Sequence, residues 1–415
     1  MRRGRWSIAA VCVGAFLLTG AVAFRSFATP ALVRFPLDVD ETAQYTGTAL
    51  TYVNSATLLP LAQPKREPVR ISRHVKVVSG TFSKAVIDET VTITTGGTTN
   101  VETYQYVIDR RSMQMVSDPR QYAFGDPKAI MHAAGAYRVN FAMGTNAKGS
   151  YLAYIPEADV VSRMRLVEGS HHHSDAPVAI IDFSSKRDAP VAPYYLAHLK
   201  AMGLPMEVSA AQLAPVLLAD GIDVNQALAD VGPRLQPAES ALVTATLAKS
   251  VPLRYFFLSD GLVSIEPKTG ALIDVHTQQQ GVAVQPDLSG ASVLQPLLDR
   301  YASIPSVKAL SDGLAALAKR PPQVAQSYTY TQTVASSLAV TKVAQDQARM
   351  ANLVEVRVPW TMAAVGLVLF ALGLVGWRRA RRKRTRAAAP DGPSPAITVE
   401  PEAAPEVPLR TYEGV

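Results

Sequence analysis

Cysteine is all but missing: among 415 residues there is one, Cys12. A disulfide-stapled scaffold and the paired-cysteine metal motifs are therefore excluded. Tryptophan is also scarce. Its three copies stand at positions 6, 360 and 377, and none lies between. No acidic residue precedes residue 26, and two long runs carry no charge of either sign. Also absent are a G-x-S-x-G elbow, a phosphate-binding P-loop, a G-x-G-x-x-G turn and an H-E-x-x-H pair. The chain is accordingly read as a non-enzymatic protein without a cofactor.

The uncharged runs are the strongest positive signal. One is "SIAAVCVGAFLLTGAVAF", ending at Phe24, and the other is "VPWTMAAVGLVLFALGLVGW", Val358 to Trp377. A helix rising about 1.5 Å per residue needs roughly twenty residues to cross the hydrocarbon of a bilayer. The first run is read as a retained anchor (residues 1–27) in preference to a cleavable signal peptide, for which Ala21-Val22-Ala23 offers a cleavage site. "MRRGR" precedes it, and "RRARRKRTR" follows the second run. The positive-inside rule then predicts a two-pass protein of the cell membrane, with both termini cytoplasmic and residues 28–356 outside. Trp6, Trp360 and Trp377 fall at the expected interfaces, with Arg378, Arg379, Arg381 and Arg382 at the headgroups of membrane lipids.

Topology also accounts for the basic balance. Of 41 basic residues four precede residue 26 and eight follow Trp377; of 34 acids none and five do, leaving 29 of each between. The outer region is neutral, and nothing in it points to nucleic acid.

That region reads as α+β: an antiparallel, β-rich extracytoplasmic domain with a helical insert, flanked by two transmembrane helices. In "VRISRHVKVV", Val69, Ile71, Val75 and Val77 share one face, and Arg73 breaks it. "VIDETVTITT" places Ile87, Val91 and Ile93 together before a Gly96-Gly97 turn; "VETYQYVID", "YLAYI" and "VAIIDF" add further strands. These make up the first half of the domain, 28–188. Residues 189–250 carry eight charges in 62 and read as short helices, with Ser209 and Asp223 as N-caps and Pro237 near a helix start. Strands return in the second half, 251–335, together with a helix whose Ile304, Val307, Leu310, Leu314 and Leu317 share a face. A juxtamembrane helix over 336–357 leads to the span 358–377, and the tail 378–415 is basic and then disordered. Two turns echo each other: Asp109, Arg111 and Ser112 match Glu266, Lys268 and Thr269 in offset, as ordinary hairpin chemistry or as a duplicated β-unit.

"EGSHHHSDAP" is the one motif with metal-ligand residue types. On a strand His171, His173 and Asp175 would share a face and converge on an ion, whereas the Gly, Ser, Asp and Pro around them favour a polar surface loop. The loop is preferred.

The chain resembles the actinobacterial porin PorA-like family, long catalogued as a domain of unknown function. The resemblance is carried by "VRFPLDVDETAQYTGTALTYVNSATL", "PVRISRHVKV", "ETYQYVIDRRSMQMV", "LVSIEPKTGALI" and "VASSLAVTKVAQDQARMANLVEVRVPWTM", across most of residues 1–380. It implies a cell-envelope protein and brings no catalytic residue with it. The family name suggests a pore, which two helical spans would form only through a homo-oligomer, because lipid-exposed backbone must satisfy its own hydrogen bonds. The two-span layout is also analogous to that of scavenger receptors, whose outer β-domain with a helical cap handles lipids. Three readings follow: a domain that binds or passes a lipid or other hydrophobic ligand, an oligomeric channel, or an envelope scaffold.

Overall fold

The computed structural model describes residues 2–29, 33–54, 59–172 and 179–387. Helix α1 (Arg2–Ala23) ends in a π-helical turn, Phe24–Ala28. Strands β1 (Asp40–Val53), β2 (Pro60–Gly80), β3 (Lys84–Thr95) and β4 (Thr98–Asp109) follow as a meander. Then come β5 (Tyr122–Ala123), β6 (Asp126–Ile130), β7 (Leu152–Ile155), β8 (Val160–Arg163), β9 (Arg165–His172) and β10 (Ala179–Pro190). The helical insert comprises α2 (Pro193–Ala201), α3 (Ala210–Ala219), α4 (Val224–Val231) and α5 (Pro237–Leu247), with the short strand β11 (Glu207–Val208) between α2 and α3. The chain continues through β12 (Val251–Ile265), β13 (Leu272–Pro286), α6 (Gln295–Arg300), α7 (Pro305–Lys319) and β14 (Gln323–Gln332). It closes with α8 (Val334–Asn352), a second π-helical turn (Leu353–Arg357) and α9 (Val358–Ala387).

Two compact units result, one from the chain up to Ser26 and from Arg357 onward, the other from Phe27–Val356. In the larger unit one antiparallel sheet runs in the order β6-β5-β4-β3-β2-β1-β14-β13-β12-β10-β9. Its two arms are the meander before β5 and the hairpins after β9, joined where β1 pairs with β14 from Tyr45↔Gln332 to Thr51↔Gln326. Ile87, Tyr104 and Tyr106 of one arm share a buried cluster with Ile181, Phe183 and Ile265 of the other, so the sheet is curled. The segment around Tyr137, Phe141 and Tyr151 fills the space between, with Tyr151 edge-on to Phe183 at 5.3 Å.

Glycine permits the curl at the seam. A Cβ on Gly47 would lie 2.0 Å from the Thr329 carbonyl oxygen, and one on Gly281 would lie 2.1 Å from that of Gln326. No side chain fits either place, so the backbones approach there as only glycine allows.

The insert follows its local signals. Ser209 accepts from the Gln212 amide at 3.2 Å while the Gln212 side chain accepts from Ser209, a capping box at the start of α3. Asp223 caps α4, and Pro237 is the first residue of α5 behind the cap of Gln236. Leu199, Leu213 and Leu217 pack against Tyr255 and Phe257 of β12. Ile304, Val307, Leu310 and Leu314 share a second cluster with Val231 and Leu298.

In the smaller unit both helices are long and apolar enough to cross a membrane. A Cβ on Gly14 would meet the backbone of Phe370 and Gly366 at 2.5 and 2.6 Å, and Gly20 faces Met362. Partner numbers fall as α1 advances, so the helices are antiparallel and the basic ends of both lie together. Glycine brings the backbones within van der Waals contact, the packing mode favoured where no hydrophobic effect drives association. Phe16 and Leu372, 74% and 64% exposed, turn apolar surface outward.

Candidate functional site

The cross-strand register builds the site row by row. Tyr45 pairs with Ile71, Ile71 with Ile93 and Ile93 with Asn100. In the next row Arg73 faces Val91 and Val91 faces Glu102; in the third Val75 faces Glu89 and Glu89 faces Tyr104. Alternation sends all three rows to the concave face. The opposing arm supplies Phe257, Val263, Val275, Gly281 and Tyr328, and between the arms lies a cavity of about 270 Å³. That is near the lower end of small-ligand pockets.

A charged cluster sits in this wall. Glu89 is fully buried; Arg73 donates its Nε hydrogen to Oε1 in a short bond, and Arg138 donates to Oε2 at 3.2 Å. Arg73 Nη2 also donates to the backbone carbonyl of Arg138 at 3.3 Å, and the Arg138 side chain donates to the Tyr106 hydroxyl at 3.2 Å. Burial opposes ionisation of Glu89, yet Arg138 and Arg73 outweigh it and hold the carboxyl down to about 2.

Two more acids face the cavity. Glu102 accepts from Tyr104 at 2.9 Å and Asn100 at 3.2 Å, and His198 Nε2 stands 3.7 Å away. Glu157 is 5% exposed, and among the described residues no side chain hydrogen-bonds or ion-pairs with its carboxyl. Burial pushes it up to about 7, with Arg138 pulling down and Glu102 pushing up. The Ser185 hydroxyl also lines the cavity, without a hydrogen-bond partner among the described residues.

Arg73, the break in an apolar alternation, is thus the sequence's pointer to the site. Glu89 carried the same signal, standing at the parity of Ile87, Val91 and Ile93, and so did Glu102 beside Tyr104 and Tyr106. Arg138 and Glu157 come from irregular segments, where no periodicity marks them.

The histidine run lies elsewhere. His171 and His172 belong to β9, paired with Ile180 and Ala179, so the strand continues into what was expected to be loop. Pairing with β10 satisfies that backbone, which outweighs the local loop chemistry. His173 and Asp175 lie outside the described residues, as does the tail beyond Ala387. Among the described residues no three His, Cys, Asp or Glu side chains gather to hold a metal ion. Trp6 and Trp360 are exposed, and the Arg381 guanidinium lies 5.6 Å from the Trp377 ring. Arg378, Arg379 and Arg382 are exposed on α9. The two echoing turns are alike in detail: Asp109 accepts from the amides of Arg111 and Ser112, Glu266 from those of Lys268 and Thr269. Met113 and Gly270 take the same left-handed place, φ 61° and 74°.

The family model described as Porin PorA matches residues 6–375, most of the chain, and the chain belongs to that family. No curated protein matches it.

Proposed function

We propose that this membrane protein of the porin PorA family binds a lipid or other hydrophobic ligand in the cavity of its curled sheet. The carrying observation is the cavity itself: about 270 Å³ within a single chain, walled by Ile71, Val91, Ile93, Val263 and Val275, with the Arg73–Glu89–Arg138 cluster, Glu102 and Glu157 as its charged groups. Apolar walls with a few convergent polar groups are the composition of a small-molecule site. The domain is held by two spans, with both termini cytoplasmic. In support, the antiparallel helix pair brings its basic ends together, and the three tryptophans with Arg378, Arg379, Arg381 and Arg382 mark the interfaces.

Native mass spectrometry of the detergent-purified chain should find a co-purified apolar molecule. Val91→Phe, which fills the cavity, should lose it while the fold persists; an empty wild-type protein would sink the reading. Family membership favours a second reading, a homo-oligomeric channel. Discrete conductance steps in a planar bilayer, unaffected by Val91→Phe, would select it.

A further inference from the structure

Arg73 and Arg138 share a single buried carboxylate. Glu89 has no exposed surface, whereas the side chains of Arg73 and Arg138 keep 17% and 24% exposure and both line the cavity. The cluster therefore turns guanidinium, not carboxylate, toward the space, and carries one positive charge beyond balance. Glu102 ion-pairs with neither guanidinium among the described residues; its carboxyl accepts from Tyr104 and Asn100, with His198 3.7 Å away. Beside the cluster stands the buried carboxyl of Glu157, without a side-chain partner among the described residues.

We propose that the cavity takes a single-chain amphiphile with an anionic oxygen head, carboxylate or phosphate, seated on Arg73 and Arg138 and accepting a hydrogen bond from the carboxyl of Glu157. This rests on the ligand-binding reading of the cavity. Guanidinium groups suit such heads because their planar forks match paired oxygens. The aliphatic walls take the chain.

Glu157 donates only while protonated. Burial favours that form up to about 7, Arg138 opposes it, and Glu102 and Glu89 favour it. Tyr104, Tyr194, Tyr195 and Tyr330 also interact with its charge, and burial raises all four further above their ordinary value, so they stay neutral across this pH range. A second negative charge beside Glu157 favours its proton further. Affinity for the anion should be full below about pH 7 and fall as pH rises, by up to about tenfold per unit.

The test is calorimetry on the full chain in detergent, with octanoate, octyl phosphate, octylamine and octan-1-ol at about pH 6 and about pH 8.5. Val91→Phe serves as the blank for partitioning into micelles. At least one anion should bind about tenfold or more tighter than the amine and the alcohol at the lower pH, and weaken about tenfold or more at the higher. The preferred anion identifies the head. Glu157→Gln should retain the affinity at low pH and lose the pH dependence. Octylamine binding as tightly as the anions, or a pH profile unchanged in Glu157→Gln, would overturn the proposal. Octan-1-ol matching the anions would overturn it and leave the apolar cavity standing. No binding above the blank by any probe would remove both.

Discussion

Two acids in one cavity wall respond to pH in opposite senses. Glu89 is held at about 2 in the fold, below its ordinary 4.5, because its two arginine partners outweigh burial. Its contribution is complete above the unfolded value and is lost as pH falls through about 2. Glu157 is raised to about 7, so the fold favours its protonated form and is penalised progressively as pH climbs from 4.5 to about 7. Glu157→Gln removes that penalty. At pH 8 the variant should be more stable by on the order of 3 kcal/mol, and near pH 4 unchanged, as read from denaturant midpoints. Glu89→Gln strands two arginines in the wall and should cost about 3–5 kcal/mol. Arg73 was legible as a charge among Ile71, Val75 and Val77, since a charge stays on an inward face only with a partner, here Glu89 on the neighbouring strand β3. Arg138, which shares the Glu89 carboxylate, was not, because irregular segments place side chains by tertiary contact alone.

Strand alternation, capping chemistry and turn glycines foretold most elements, from the β2 and β3 faces to the caps at Ser209 and Asp223. Those signals are local. What they did not foretell is which strands pair across long separations, or that β9 reaches His172, since register is set by partners. The curl is likewise invisible, because nothing next to Gly47 or Gly281 in sequence marks a close approach, and their meaning comes from carbonyls on β14. Gly281→Ala should cost about 1–3 kcal/mol by forcing those backbones apart, measurable as a lowered urea midpoint. Ser209→Ala, removing half of a capping box, should cost about 1 kcal/mol and leave ligand binding untouched.

At the scale of the whole molecule, two charge-poor spans and flanking arginines made the membrane assignment readable before any fold was known. Reporter fusions after residue 60 and after residue 390 should report opposite sides of the membrane; the same side for both would overturn the topology. The seam between β1 and β14 bears on something else, the order in which the protein is made. The first strand of the sheet and its last lie side by side at the centre, so more than 270 residues separate Tyr45 from its partner Gln332. Each arm can form as a hairpin meander while the ribosome is still working, but each would then end in an unpaired edge. Only when β14 emerges are both edges closed at once, ahead of α8 and the second long apolar helix, α9. A chain cut short within α7 would display two bare strand edges, and should be met by proteases rather than by its ligand.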